Sequence, residues 1–96
     1  MRKIENLMIQ AIKDKTNFSL SNTTVSTKPD IFGDVFSEVM LHGNHIATFD
    51  HQKQSVVVNV DTLRLWPTNT TKSRLRALGV DVYQKSGRIY LDGIAI

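Results

Sequence analysis

The 96-residue chain has no cysteine. That excludes disulfides, thiolate nucleophiles and cysteine-based zinc sites, and it fits a reducing compartment. No apolar run comes near the roughly 20 residues needed to span a bilayer. The basic start Met1-Arg2-Lys3-Ile4-Glu5 is not followed by the apolar stretch of a signal peptide. The expected location is the cytoplasm, with no membrane partner. There is no Gly-x-Ser-x-Gly, no Gly-x-Gly-x-x-Gly and no phosphate-binding P-loop. Carboxylates for acid–base work would have to come from scattered turn positions. These absences point away from an enzyme, and no cofactor is expected.

Metal ligands are sparse as well. His42 and His45 flank a tight turn, and Asp50 and His51 sit at the next one. A strand of five residues separates His45 from His51, which places them about 16 Å apart. A shared metal is not expected, and hairpin histidines are the simpler reading.

What remains is enough apolar residue, 41% of the chain, for one modest core. The expected organisation is a single α+β domain over residues 1–96. Ile4, Leu7, Met8, Ala11 and Ile12 repeat with helical period, so residues 3–14 form an amphipathic helix, with Lys3, Glu5, Asn6, Gln10 and Lys13 on its polar side. A helix in that position can also serve as a homodimer contact. A first strand is expected within Ser19 to Thr27, followed by a turn at Lys28-Pro29-Asp30. Val35 to Leu41, His45 to Asp50 and Ser55 to Val60 form an antiparallel meander, with Gly43-Asn44 turning its first hairpin. A second helix spans 67–79 behind the cap candidates Thr68, Asn69 and Thr70, and Gly79 ends it. Val80 to Tyr83 and Arg88 to Leu91 form a C-terminal hairpin around Ser86-Gly87, and Gly93 marks a bulge. The predicted order is α-β-β-β-β-α-β-β. Trp66, just before Pro67 and the helix cap, is expected to plug the core, with base stacking as the alternative.

Charge is unevenly spread. Between 64 and 88 the chain carries Arg64, Lys72, Arg74, Arg76, Lys85 and Arg88 against Asp81 alone, whereas residues 16–63 carry five acids against Lys28 and Lys53. Basic segments of this kind attract phosphates, although most such faces are simply solvated. The start of the second helix adds free backbone N–H groups and the hydroxyls of Thr70 and Thr71. Candidate nucleic-acid-binding residues are therefore Thr70, Thr71, Lys72, Arg74, Arg76, Lys85 and Arg88, with Tyr83 and Tyr90 able to stack on bases if exposed.

Two resemblances follow from these segments. Ser73-Arg74-Leu75-Arg76-Ala77-Leu78-Gly79-Val80-Asp81-Val82, then Gly87-Arg88-Ile89-Tyr90-Leu91, resembles the recognition helix and wing of winged helix-turn-helix domains, which implies DNA contact. The helix that precedes the turn in that family has no counterpart here, because Val56 to Val60 reads as a strand. Leu41-His42-Gly43-Asn44-His45-Ile46-Ala47, followed by Trp66-x-Thr68-x-Thr70-Thr71-x-Ser73-Arg74-Leu75-x-Ala77-Leu78, resembles a group of small proteins of tailed bacteriophages. That resemblance implies a phage origin, action in an infected bacterial cytoplasm, and no mechanism. The expected function is that of a small, non-enzymatic phage accessory protein that binds DNA or RNA through residues 67–92. The alternatives are a module that binds and modulates a host protein, and a structural or assembly component.

Overall fold

A computed structural model describes residues 2–96. The first helix, α1 (Lys3–Asp14), stops where Lys15 takes a left-handed conformation (φ 56°) and its N–H returns to the carbonyls of Ala11 and Ile12. Its buried positions are Glu5, Met8, Ala11 and Ile12. The stripe is therefore rotated from the one expected. Glu5 lies inside on the Met8–Ile12 row, while Leu7 is partly exposed.

Five antiparallel strands follow in sequence order: β1 (Phe18–Leu20), β2 (Thr23–Pro29), β3 (Val35–Leu41), β4 (Asn44–Asp50) and β5 (Ser55–Val58). The single strand predicted within Ser19 to Thr27 is thus a hairpin. Ser21 adopts φ 55° and reverses the chain, and Leu20 pairs with Thr23. The β3–β4 turn is His42-Gly43, one residue earlier than predicted. A two-residue turn of this hand needs positive φ at both positions, and they adopt 51° and 79°. Alternation along the strands points Val25, Val39, Ala47 and Val58 to one face in register. A register shift between Val39 and Met40 lets consecutive Ile46 and Ala47 both be buried.

The β-branched run does not reach Val60 as a strand. Asn59 caps a short helix, α2 (Val60–Leu65), by accepting a hydrogen bond from the Thr62 N–H at 3.2 Å. Pro67 disfavours a helical conformation at Trp66, and α2 stops there. Thr68 caps α3 (Asn69–Ala77), its hydroxyl accepting from the Thr71 N–H at 3.1 Å. Gly79 (φ 92°) ends α3: its N–H bonds the Arg76 carbonyl and that of Val80 bonds Leu75.

The chain closes with β6 (Val82–Lys85), β7 (Arg88–Leu91) and β8 (Ile94–Ala95), a second antiparallel sheet. The bulge expected at Gly93 is a tight turn, Asp92-Gly93, that adds this last short strand. The buried residues form one cluster in which Met8 and Ile12 of α1, Val25, Val39 and Ile46 of the large sheet, Leu63 of α2, Leu75 of α3, and Val82 and Ile89 of the small sheet meet. Leu75 is fully buried at its centre. Truncating a side chain so placed costs about 2–5 kcal/mol. No helix among the described residues is long and apolar enough to cross a membrane.

Candidate nucleic-acid interface

The basic helix-and-hairpin segment divides into two halves with different surroundings. On α3, Arg74 is 3% exposed. Its guanidinium donates to Glu5 Oε2 at 2.7 Å, to Thr23 Oγ1 at 3.1 Å and to Asn22 Oδ1 at 3.3 Å. Ser73 Oγ also donates to Glu5 Oε2, at 2.6 Å. One cation and one carboxylate thus tie α3 to α1 and to the β1–β2 hairpin. Burial alone would raise the Glu5 pKa. The hydrogen bonds from Ser73, Arg74 and the Arg2 backbone, with the Arg74 charge, outweigh it and hold the carboxyl below its ordinary range. Lys72 is 7% exposed and gives its Nζ to Gln84 Oε1 of β6. Thr71 is buried, with its hydroxyl on that of Thr68 at 2.9 Å.

Three of the seven predicted contact residues are therefore turned inward. Thr71, Lys72 and Arg74 hold the protein together and present no side chain to a phosphate. Thr70 is half-buried. Arg76 is exposed overall, but its Nε donates to the Val82 carbonyl at 2.9 Å. A short helix, α2, does precede α3, contrary to expectation. With Lys72 and Arg74 buried, however, α3 has no free basic face for a major groove.

The hairpin half is the reverse. Val82 and Ile89 face α3 and are buried, so the alternate residues Tyr83, Lys85, Arg88 and Tyr90 share the outer face of β6 and β7. Tyr83 opposes Tyr90, and their rings stack with centroids 5.0 Å apart and planes 9° from parallel. Lys85 opposes Arg88 beside the Ser86-Gly87 turn, and both are exposed. Arg76 bonds Val82 while Lys72 bonds Gln84, so β6 runs antiparallel to α3. The basic tip therefore lies toward the α3 N-terminus.

Next to that N-terminus is a cleft of about 240 Å³. Leu41, His42, Asn44 and Ile46 of the β3–β4 hairpin form one wall, and Thr62, Trp66, Thr68 and Thr71 form the other. The two segments that carry the phage resemblance thus face each other across one opening. Trp66 is 56% exposed and lines it. The indole is therefore not the core plug expected from its place before Pro67.

The histidines occupy separate positions, and no group of three potential metal ligands converges among the described residues. His45 bonds Thr48 Oγ1 at 2.7 Å and Asn59 Nδ2 at 3.1 Å. His51 Nε2 lies 2.7 Å from Ser37 Oγ, a pairing sequence spacing did not suggest. Ser37 is completely buried and also bonded to Thr27 at 2.7 Å. The pair ties the β4–β5 turn to β2 and β3, and its serine oxygen is closed to a substrate.

The fold and this surface define a small α+β protein with an aromatic and basic hairpin on its outside. A family model described as Kyanoviridae Gp96 protein matches residues 1–95, and the chain belongs to that family of phage proteins. Neither the curated proteins nor the solved structures contain a match to it.

Proposed function

We propose that the protein is a non-enzymatic phage accessory factor that binds single-stranded nucleic acid across the outer face of β6 and β7. The observation that carries this is the strand alternation that places Tyr83, Lys85, Arg88 and Tyr90 together on the side turned away from the core. Aromatic rings beside cations suit a single strand, because every base has a face to stack and every linkage a phosphate to pair. A duplex offers less here, since its bases are stacked on each other and α3 supplies no basic face to enter a groove. The exposed Trp66 lies beside the α3 N-terminus, the end of the helix toward which the hairpin tip is turned.

The test is fluorescence anisotropy with a labelled oligonucleotide of about a dozen nucleotides at low salt, the length an aromatic–basic surface of this size covers. Micromolar binding is expected, weakening with salt by about 0.7 in log–log slope per phosphate contacted. Lack of binding to any single strand at about 100 µM protein would refute the proposal, since non-specific affinities at physiological salt already reach about 10⁻⁴–10⁻⁶ M.

A further inference from the structure

The β2–β3 turn carries two large apolar side chains with almost no cover. Ile31 is 92% exposed and Phe32 82%. The turn that bears them is well bonded. The Asp30 N–H donates to the Asp34 carbonyl at 2.8 Å, and the Gly33 N–H to the Asp30 carbonyl at 3.1 Å. Asp30 Oδ1 accepts from the N–H groups of Phe32 at 2.8 Å and Asp34 at 3.0 Å. The result is a preformed apolar tip flanked by two carboxylates. Its ordering cost is met before any partner arrives. Adjacent exposed side chains of this size mark an interaction surface.

The same end of the molecule holds a complementary cleft. The Val35 carbonyl accepts from the His51 N–H at 3.2 Å, so the β2–β3 and β4–β5 turns leave the sheet together. Asn17 Oδ1 accepts from the Thr27 N–H at 2.8 Å and brings the end of α1 to that edge. Between α1, α3 and β4 lies an opening of about 300 Å³ with Ile9, Phe49 and Leu78 in its walls and Lys13, Lys15 and His51 around it. The nearby Asp14 is occupied with Gln10 Nε2 at 3.0 Å.

We infer that a second copy of this chain fills the cleft. Each copy inserts Ile31 and Phe32 into the other, and Asp30 and Asp34 meet Lys13 and Lys15. Because tip and cleft lie at one end, a two-fold axis satisfies both contacts at once and closes the assembly as a dimer. The charges choose this occupant over a membrane: two carboxylates beside the tip oppose an anionic bilayer and match the lysines of the cleft. The contact is small, so the dimer belongs to the weak, transient class.

Sedimentation velocity of the full chain from about 1 to about 500 µM tests this, the range in which a transient contact forms. The mass should rise from that of one chain, 10.8 kDa, toward twice that value. Ile31→Ser with Phe32→Ser should stay monomeric at the highest concentration with an unchanged melting curve, since neither side chain supports the fold. Lys13→Glu and Asp34→Lys should each abolish the dimer alone, and an equal mixture of the two should restore it, because both contacts then pair opposite charges again. Asp34 serves the turn through its backbone, which Asp34→Lys keeps. The inference is overturned if the wild-type chain stays monomeric, if the tip variant dimerises like wild type, or if mixing restores nothing. Lys85→Ala with Arg88→Ala should dimerise normally, which separates this surface from the nucleic-acid reading.

Discussion

α3 and the β6–β7 hairpin carry charge of the same sign and put it to opposite uses. Lys72 and Arg74 face inward, where Gln84, Glu5, Thr23 and Asn22 bond them. Lys85 and Arg88 face outward, beside a stacked tyrosine pair. The difference is set by what lies opposite each element. α3 is enclosed by α1, the β1–β2 hairpin and β6, so its polar groups must find partners inside the protein. The hairpin has α3 on one face and solvent on the other. A basic segment read as one unit is two, and only the outer one is available to a ligand.

The largest expected effect is at the inner site. Arg74→Met leaves Glu5 buried without its cation, and breaking such a pair costs about 3–5 kcal/mol, a large part of a domain stability of about 5–15 kcal/mol. Urea unfolding measures it directly. The double variant Glu5→Leu with Arg74→Met should recover much of the loss, because no uncompensated charge is left. The pH dependence has a fixed sign. The Glu5 carboxyl is held below its usual value of 4.5, so the pair's contribution is present above that pH and is lost as pH falls through the lowered pKa. The gap between wild type and Arg74→Met should therefore close in acid. A gap that persists unchanged well below pH 4.5 would show that Glu5 is not the group responsible.

Next in size are the outer aromatics. Tyr83→Ala or Tyr90→Ala should weaken single-strand binding by about 1–3 kcal/mol, roughly 5- to 150-fold, with little change in unfolding midpoint. Lys85→Ala and Arg88→Ala act on the salt dependence instead, each lowering the log–log slope by about 0.7. If the tyrosine variants bind as well as wild type while the cation variants do not, the surface works by charge alone.

Local signals made most of the fold legible. The helical period of α1, the alternation of β3 to β5, the cap at Thr68 and the turn residues Ser86-Gly87 depend on neighbours in sequence, and the predicted α+β order survives in outline. α2 is hidden in the sequence because the strand alternation of Val56 and Val58 continues without a break to Val60. The local counter-signal was Asn59 as a cap, with Asp61 in the following turn. The fate of the basic residues was less legible. Arg74 is buried because Glu5, far away in sequence, lies on the inner row of α1. The hint was small: Glu5 falls one helical turn before Met8, and Arg74 shares a row with Thr71 and Leu78. Tyr83, Lys85, Arg88 and Tyr90 could be placed on one face by alternation alone, but which face meets solvent required knowing where α3 packs.

The smallest effect comes from Lys72, and it distinguishes the two halves most cleanly. Its stem is buried, its ammonium bonds the neutral Gln84, and among the described residues no carboxylate pairs with it. Lys72→Met keeps the stem's packing and removes one hydrogen bond, so stability should change by about 1 kcal/mol or less. Single-strand affinity and its salt slope should not change, because the ammonium does not face the ligand. Lys85→Met makes the same chemical change on the outer face, where it should leave stability alone and lower the slope by about 0.7. The two variants differ from their parent by the same loss of charge, so composition and net charge cannot account for a different outcome. If Lys72→Met weakens binding as much as Lys85→Met, α3 takes part in contact after all, and the division of this segment into an inner and an outer half fails.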